Sequence, residues 1–139
     1  MTTIVLDTSV ATAWALLETD DPAADTALNL VQKGAALVPA LFWFELRNAL
    51  VVSERRNRIT PLTASEFLSA FAKFTVLVDR EPDELNVMGF ARTHGLTVYD
   101  ACYLELALRA NLPLATLDRK LSQAAQFAGV EIVGFALRS

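Results

Sequence analysis

The stretch that decides the fold is TIVLDTSVATAWAL, residues 3–16. An apolar, β-branched run reaches Asp7 and passes at once into alanine-rich sequence, with no linker. Residues 3–6 read as a short buried strand, and 8–18 as a helix with Val10, Ala13, Trp14 and Leu17 at helical spacing. A buried strand that ends on a charge needs a reason, because an unpaired buried carboxylate is expensive.

Reading outward, Asp20, Asp21 and Pro22 open a second helix that stops at Lys33-Gly34. ALV at 36–38 is a short strand closed by Pro39, and ALFWFELRNALVVSERR after it is a long helix. Thr63 with Glu66 three residues later has the form of a capping box, followed by Phe67, Leu68, Phe71 and Phe74 on one helical face. TVLV at 75–78 is extended. Pro82, Asp83 and Glu84 open a helix that ends at His94-Gly95, where His94 offsets the helix dipole. LTV then reads as a strand, 100–110 as a helix up to Asn111, LPLAT as a strand, 119–128 as a helix and VEIVGF as the last strand.

Short, nearly unbroken apolar strands separated by helices are the pattern of a parallel sheet covered on both faces. The expected fold class is α/β: a three-layer α/β/α sandwich with a central, mostly parallel sheet, in one domain over residues 1–139. An apolar fraction of 53% against 20% charged residues is that of a packed globular chain. The four clustered aromatics Trp14, Phe42, Trp43 and Phe44 are expected to fill its core. Cys102 is the only cysteine, which leaves no disulfide framework and favours a reducing compartment. With no signal-like segment and no apolar run of membrane-spanning length, the expectation is a soluble cytoplasmic protein without a membrane partner.

Asp7 has two counterparts. LTVYD ends on Asp100 and LATLD on Asp118, so three apparent strands each finish at an aspartate that begins a helix. In a parallel sheet those positions share one edge, where open α/β sheets bind ligands. Each aspartate taken singly is explained equally well as a helix N-cap. Glu45 is not, because it lies inside a helix with Leu41, Phe42, Asn48 and Ala49 as its neighbours at three and four residues, a face that is apolar except for Asn48.

If the four acids converge within about 5 Å, each like-charge pair costs roughly 3 kcal/mol at an effective dielectric near 20. Such a cluster calls for a cation, and oxygen-only ligands suit Mg2+ or Mn2+ rather than zinc. The chemistry best served by such ions is phosphoryl transfer. Thr8, Ser9 and Thr116 place hydroxyls beside Asp7 and Asp118, to orient a carboxylate or simply to cap a helix.

VLDTSV, the glutamate in VPALFWFELRNAL, LTVYDACYLELA and LATLDRKL, in this order and spacing, closely resemble the PIN-domain ribonucleases, in particular the VapC-like toxins of toxin–antitoxin modules. The resemblance runs from about residue 3 to residue 134. It implies a Mg2+- or Mn2+-dependent endoribonuclease whose catalytic and metal-binding acids are Asp7, Glu45, Asp100 and Asp118, supported by Ser9 and Thr116, with Thr8 a further supporting candidate from its place beside Asp7. It also implies an RNA substrate, a small cognate antitoxin as partner, and a homodimer. Arg55, Arg56 and Arg58 in ERRNR are candidates for contact with the RNA backbone, or a solvated basic helix end.

The net charge of −4 runs against loose binding of bulk nucleic acid. With the four site acids set aside, however, twelve acids face twelve bases. Two rival readings share the sequence: a Mg2+-dependent phosphohydrolase or phosphoacceptor domain, and a non-catalytic partner-binding module that uses the aromatics as a groove.

Overall fold

In a computed structural model, residues 2–17 and 21–134 are described. The elements run β1 (Thr3–Leu6), α1 (Thr8–Ala15), α2 (Pro22–Lys33), β2 (Ala35–Pro39), α3 (Phe42–Arg55), α4 (Pro61–Phe71), β3 (Val76–Asp79), α5 (Glu84–His94), α6 (Val98–Ala110), β4 (Leu114–Ala115) and α7 (Arg119–Phe127). All four strands are parallel, in the order β3-β2-β1-β4. Consecutive strand residues point to opposite faces, and Ile4, Val5 and Leu6 are all 0% exposed, so both faces of β1 are covered. Helices α2 and α6 each pack against β1, β2 and β4. This is the α/β/α sandwich expected.

The topology fixes where a site can form. From β1 the chain builds β2 and β3 outward on one side, then returns to add β4 on the other side of β1. Strand order therefore reverses between β1 and β4, and the crevice beyond their carboxyl ends is the place where such sheets bind ligands. Asp7 follows β1 directly, and Asp118 lies three residues beyond β4.

Three expectations are corrected. LTV at 96–98 is not a strand: Thr97 is the N-cap of α6, its Oγ1 accepting from the Asp100 N–H at 3.0 Å, and Val98 already lies in the helix. The β-branched residues imitated a strand where a Thr-x-x-Asp helix start was written. Helix α4 begins earlier than Thr63, with Thr60 as cap (Oγ1 accepting from Thr63 N–H, 3.1 Å) and Pro61 in the first turn. VEIVGF contributes one parallel bridge, Ile132 to Leu114, rather than a strand, and Phe135 lies outside the described residues.

TVLV is the edge strand β3, paired with β2 from Ala36↔Val76 to Pro39↔Asp79. The first helix ends at Ala15, with Leu16 and Leu17 in a turn, and Glu18 lies outside the described residues. The aromatics divide. Phe42 is buried and stacks on Phe71, and Trp14 is half-buried with its indole N–H donated to the Ala24 carbonyl at 2.9 Å. Trp43 and Phe44 are 56% and 69% exposed, on the outer side of α3. They do not fill the core. Cys102 is half-buried, and His94 sits in the last turn of α5, which Gly95 closes at φ +63°.

A second set of charges holds α6 in place. Glu105 is 2% exposed and receives Arg109 Nε at 2.6 Å, while the guanidinium also grips both oxygens of Asp79 at 2.7 and 3.1 Å. This fork ties α6 to the end of β3. Among the described residues no helix is long and apolar enough to cross a membrane.

Candidate active site

Asp7 occupies the N-cap position of α1, yet its side chain makes no capping bond. Its Oδ2 instead accepts from Ser9 Oγ and from Thr116 Oγ1, both at 2.7 Å. Those hydroxyls are themselves fixed by the loop after β4, Ser9 Oγ accepting from Leu117 N–H (2.9 Å) and Thr116 Oγ1 from Asp118 N–H (3.0 Å). Both bonds fall on one oxygen, so the carboxylate is oriented and Oδ1 is left to other partners. The N-cap explanation thus fails at Asp7.

Burial is the largest influence on Asp7 and raises its pKa. The two hydroxyl bonds pull it down, and the charges of Glu45 and Asp118 push it up again. Glu45, in the first turn of α3, is half-buried. Its Oε1 accepts from Tyr103 Oη at 2.7 Å and Thr8 Oγ1 at 3.2 Å. Burial again raises the pKa most, with Asp100 adding repulsion. Asp100 is pushed up to about 6, first by burial and then by the charges of Asp7 and Asp118, with Lys120 acting in the other direction. Asp118 is a true cap, its Oδ1 accepting from Leu121 N–H at 2.9 Å.

The structure therefore brings Asp7 within electrostatic reach of Glu45, Asp100 and Asp118, and Asp100 within reach of Glu45 and Asp118. Asp7 follows the end of β1, Asp118 caps α7 after the loop from β4, and Glu45 and Asp100 lie in the first turns of α3 and α6. Among the described residues no three His, Cys, Asp or Glu side chains form a ready metal cage. Arg55, Arg56 and Arg58 are not part of the cluster: they are exposed at and just beyond the far end of α3, with Arg55 ten residues and about 15 Å along the helix from Glu45. The base that acts on the cluster is Lys120, through Asp100.

Tyr103 went unnoticed in the sequence. It is 0% exposed, one helical turn from Asp100 on α6, with its hydroxyl 3.0 Å from Thr8 Oγ1 as well as bonded to Glu45. Burial and the nearby Asp7 charge raise the pKa of the phenol far above its usual value, so it remains a donor. Its signal was the i, i+3 spacing from Asp100 and a polar tip among the apolar residues Ala101, Leu104, Leu106 and Ala107 of α6.

The PIN domain family pattern matches residues 4–126. This chain belongs to the PIN-domain family. Among PIN relatives, it is 31% identical over 123 residues to ribonuclease VapC3 of Pyrobaculum aerophilum, covering 86% of this chain and 92% of that protein. Exonuclease VapC9 of the same organism is 39% identical over 79 residues, 56% of this chain and 58% of VapC9. The crystal structure of PAE2754 from Pyrobaculum aerophilum superposes with a TM-score of 0.71 at 28% identity, covering 99% of this chain and 93% of that one. FitAcB from Neisseria gonorrhoeae shares the fold, with a TM-score of 0.52 at 20% identity over 94% and 96% of the two chains. The chain is thus a VapC-like PIN domain.

The raised carboxyl pKa values have a consequence for stability in chelator. Such a group keeps its proton in the fold at pH values where the unfolded chain has lost it, so the folded state binds more protons and stability falls as pH rises. The window runs from the ordinary carboxyl range, about 4, to the value of about 6 for Asp100. Melting temperature in EDTA should decline across it, and Asp100→Asn should flatten part of the decline. A melting temperature that climbs steadily over that window would contradict these environments.

Proposed function

We propose that the chain is a divalent-cation-dependent endoribonuclease that hydrolyses RNA phosphodiester bonds, with Asp7, Glu45, Asp100 and Asp118 as its catalytic and cation-holding groups. The observation that carries this reading is the Asp7 carboxylate, buried without a counter-charge, fixed by Ser9 and Thr116, and felt by three further acids at the switch point of the sheet. Family membership and the ribonuclease and exonuclease names of two relatives support it.

The donor set fits Mg2+ or Mn2+, since the four acids supply only hard carboxylate oxygens and neither His nor Cys stands among them. Bound by these carboxylates, such an ion supplies Lewis acidity, lowering the pKa of an attacking water and stabilising the leaving oxygen. The chain's own residues do the orienting. Ser9 and Thr116 hold one face of Asp7, and Tyr103 and Thr8 hold Glu45 against the swing its long side chain otherwise permits. Asp100, with a pKa near 6, gives up its proton within the physiological range.

The toxin role, the small antitoxin partner and the homodimer belong to the same reading and rest on the resemblance in sequence, and a cytoplasmic location, read from the lone Cys102, goes with them. An apolar cavity of about 560 Å3 bordered by Trp43, Phe44 and Phe74 gives a protein partner a surface to cover. The purified, partner-free protein should cleave single-stranded RNA internally in Mg2+ or Mn2+ and stop in EDTA. Mapping the product ends checks this, and cleavage unaffected by chelation, or only stepwise loss from an end, would refute it. Tyr103→Phe should lower the rate about 10–100-fold at limiting Mn2+, as loss of a group that orients a ligand does. Much of that loss should return at high Mn2+, which a general folding defect would not allow.

A further inference from the structure

A second cavity, about 410 Å3, opens beside Asp118 between the start of α2 and the exposed side of α7, within the range of small-ligand sites. It shares Thr116 and Asp118 with the candidate active site. Its wall on α7 is Arg119, Ser122, Gln123 and Gln126, at i, i+3, i+4 and i+7, a single helical stripe. Leu121, Ala124 and Ala125 on the other side of α7 go to the core. The stripe is wholly polar, which core packing does not require.

Charge decides the class of ligand. Asp21 and Asp118 bring two carboxylates, each already capping its own helix, against the single cation of Arg119, so the cavity is no anion site. The groups that remain free to recognise something are the neutral amides of the exposed Gln123 and Gln126. Ser122 also lines the cavity; it is 6% exposed, and its hydroxyl, like that of Thr12, has no partner among the described residues. Buried hydroxyls are ordinarily satisfied, by protein, water or ligand. Ala23 and Leu117 supply apolar wall to lie against a ring.

We propose that this cavity is a nucleobase subsite, in which Gln123 and Gln126 bind the edge of an unpaired base next to the phosphate being cleaved. A primary amide offers a donor and an acceptor side by side, the complement of a base edge, and unpaired RNA bases are read in this way. The subsite rests on the ribonuclease reading and gives it a source of sequence preference: the base flanking the cut is chosen by α7, not by Arg55, Arg56 or Arg58.

Two measurements test it. In the first, the side-chain NH2 resonances of Gln123 and Gln126 are followed by NMR during titration with each of the four nucleoside 5′-monophosphates and with ribose 5-phosphate. Shifts with at least one nucleotide and none with ribose 5-phosphate are expected. No shift with any nucleotide, or equal shifts with the sugar phosphate, would overturn the proposal. In the second, RNA ends are sequenced for wild type, Gln123→Ala and Gln126→Ala, changes on an exposed helix face that raise helix propensity. The base preference at one position flanking the cut should fall at least about fivefold in one or both variants, the lower bound for a bidentate amide–base pair. An unchanged preference in both would overturn it. Should the wild type cleave no RNA, the ribonuclease reading fails, and the NMR titration decides the cavity independently.

Discussion

Asp7→Asn should abolish cleavage and at the same time stabilise the metal-free protein. Loss of a group worth several kcal/mol of transition-state charge stabilisation corresponds to about a thousandfold or more in rate. Stability should move the other way, because burial is the largest influence on Asp7 and acts against its charged form. Asparagine keeps the shape and an oxygen to accept from Ser9 and Thr116, without the cost of a buried charge. In EDTA at neutral pH the melting temperature should rise by a few degrees, the scale on which about 1 kcal/mol appears in a domain of this size. An inactive variant that melts lower than wild type would mean that Asp7 is a structural residue, and full activity would remove it from the site.

Arg109→Ala should be a strongly destabilising change away from the active site. It leaves Glu105, 2% exposed, without its cation, and it frees Asp79 at the end of β3. Removing one partner of a buried pair costs about 3–5 kcal/mol. The Arg109 side chain is 38% exposed, so water screens part of the interaction and about 2–3 kcal/mol is the better expectation. Urea unfolding at neutral pH measures it as a lower midpoint with an unchanged slope. Arg109→Ala with Glu105→Gln should recover part of the loss, because the orphaned charge is then gone. A midpoint equal to wild type would show that the fork contributes nothing.

The sequence told most where the chemistry was local. Asp7 was legible because an unbroken apolar run stopped on it, and the sheet order explains why that point matters: β4 returns to the far side of β1, and Asp118 comes with it. Asp100 was found by way of the wrong element. Thr97 caps α6, and Leu96-Thr97-Val98 imitated a strand because β-branched residues suit both a strand and the approach to a helix. Glu45 stood out as an acid among apolar neighbours, but its partners Thr8 and Tyr103 are 37 and 58 residues away, distances that no local pattern reports.

Other features depended on tertiary context alone. Trp43 and Phe44 sit on the exposed side of α3 while Phe42 beside them is buried, a division set by where the helix lies and not by composition. The Glu105–Arg109 pair carried an i, i+4 signal usually worth a few tenths of a kcal/mol on a surface. Burial of Glu105 makes it much more. The basic run at 55–58 drew attention by charge density, yet helix length carries it away from the acids, and the base that acts on them is Lys120.

The central claim is that four carboxylates form one divalent-cation site, and calorimetric titration of Mn2+ into the chelator-stripped protein tests it most directly. Saturable uptake is expected at pH 7, with weaker binding and proton release as the pH falls below about 6, the value to which Asp100 is raised. Both Asp7→Asn and Asp100→Asn should lose that uptake while remaining folded. No saturable uptake by the wild type, or uptake unchanged in the two variants, would contradict the account.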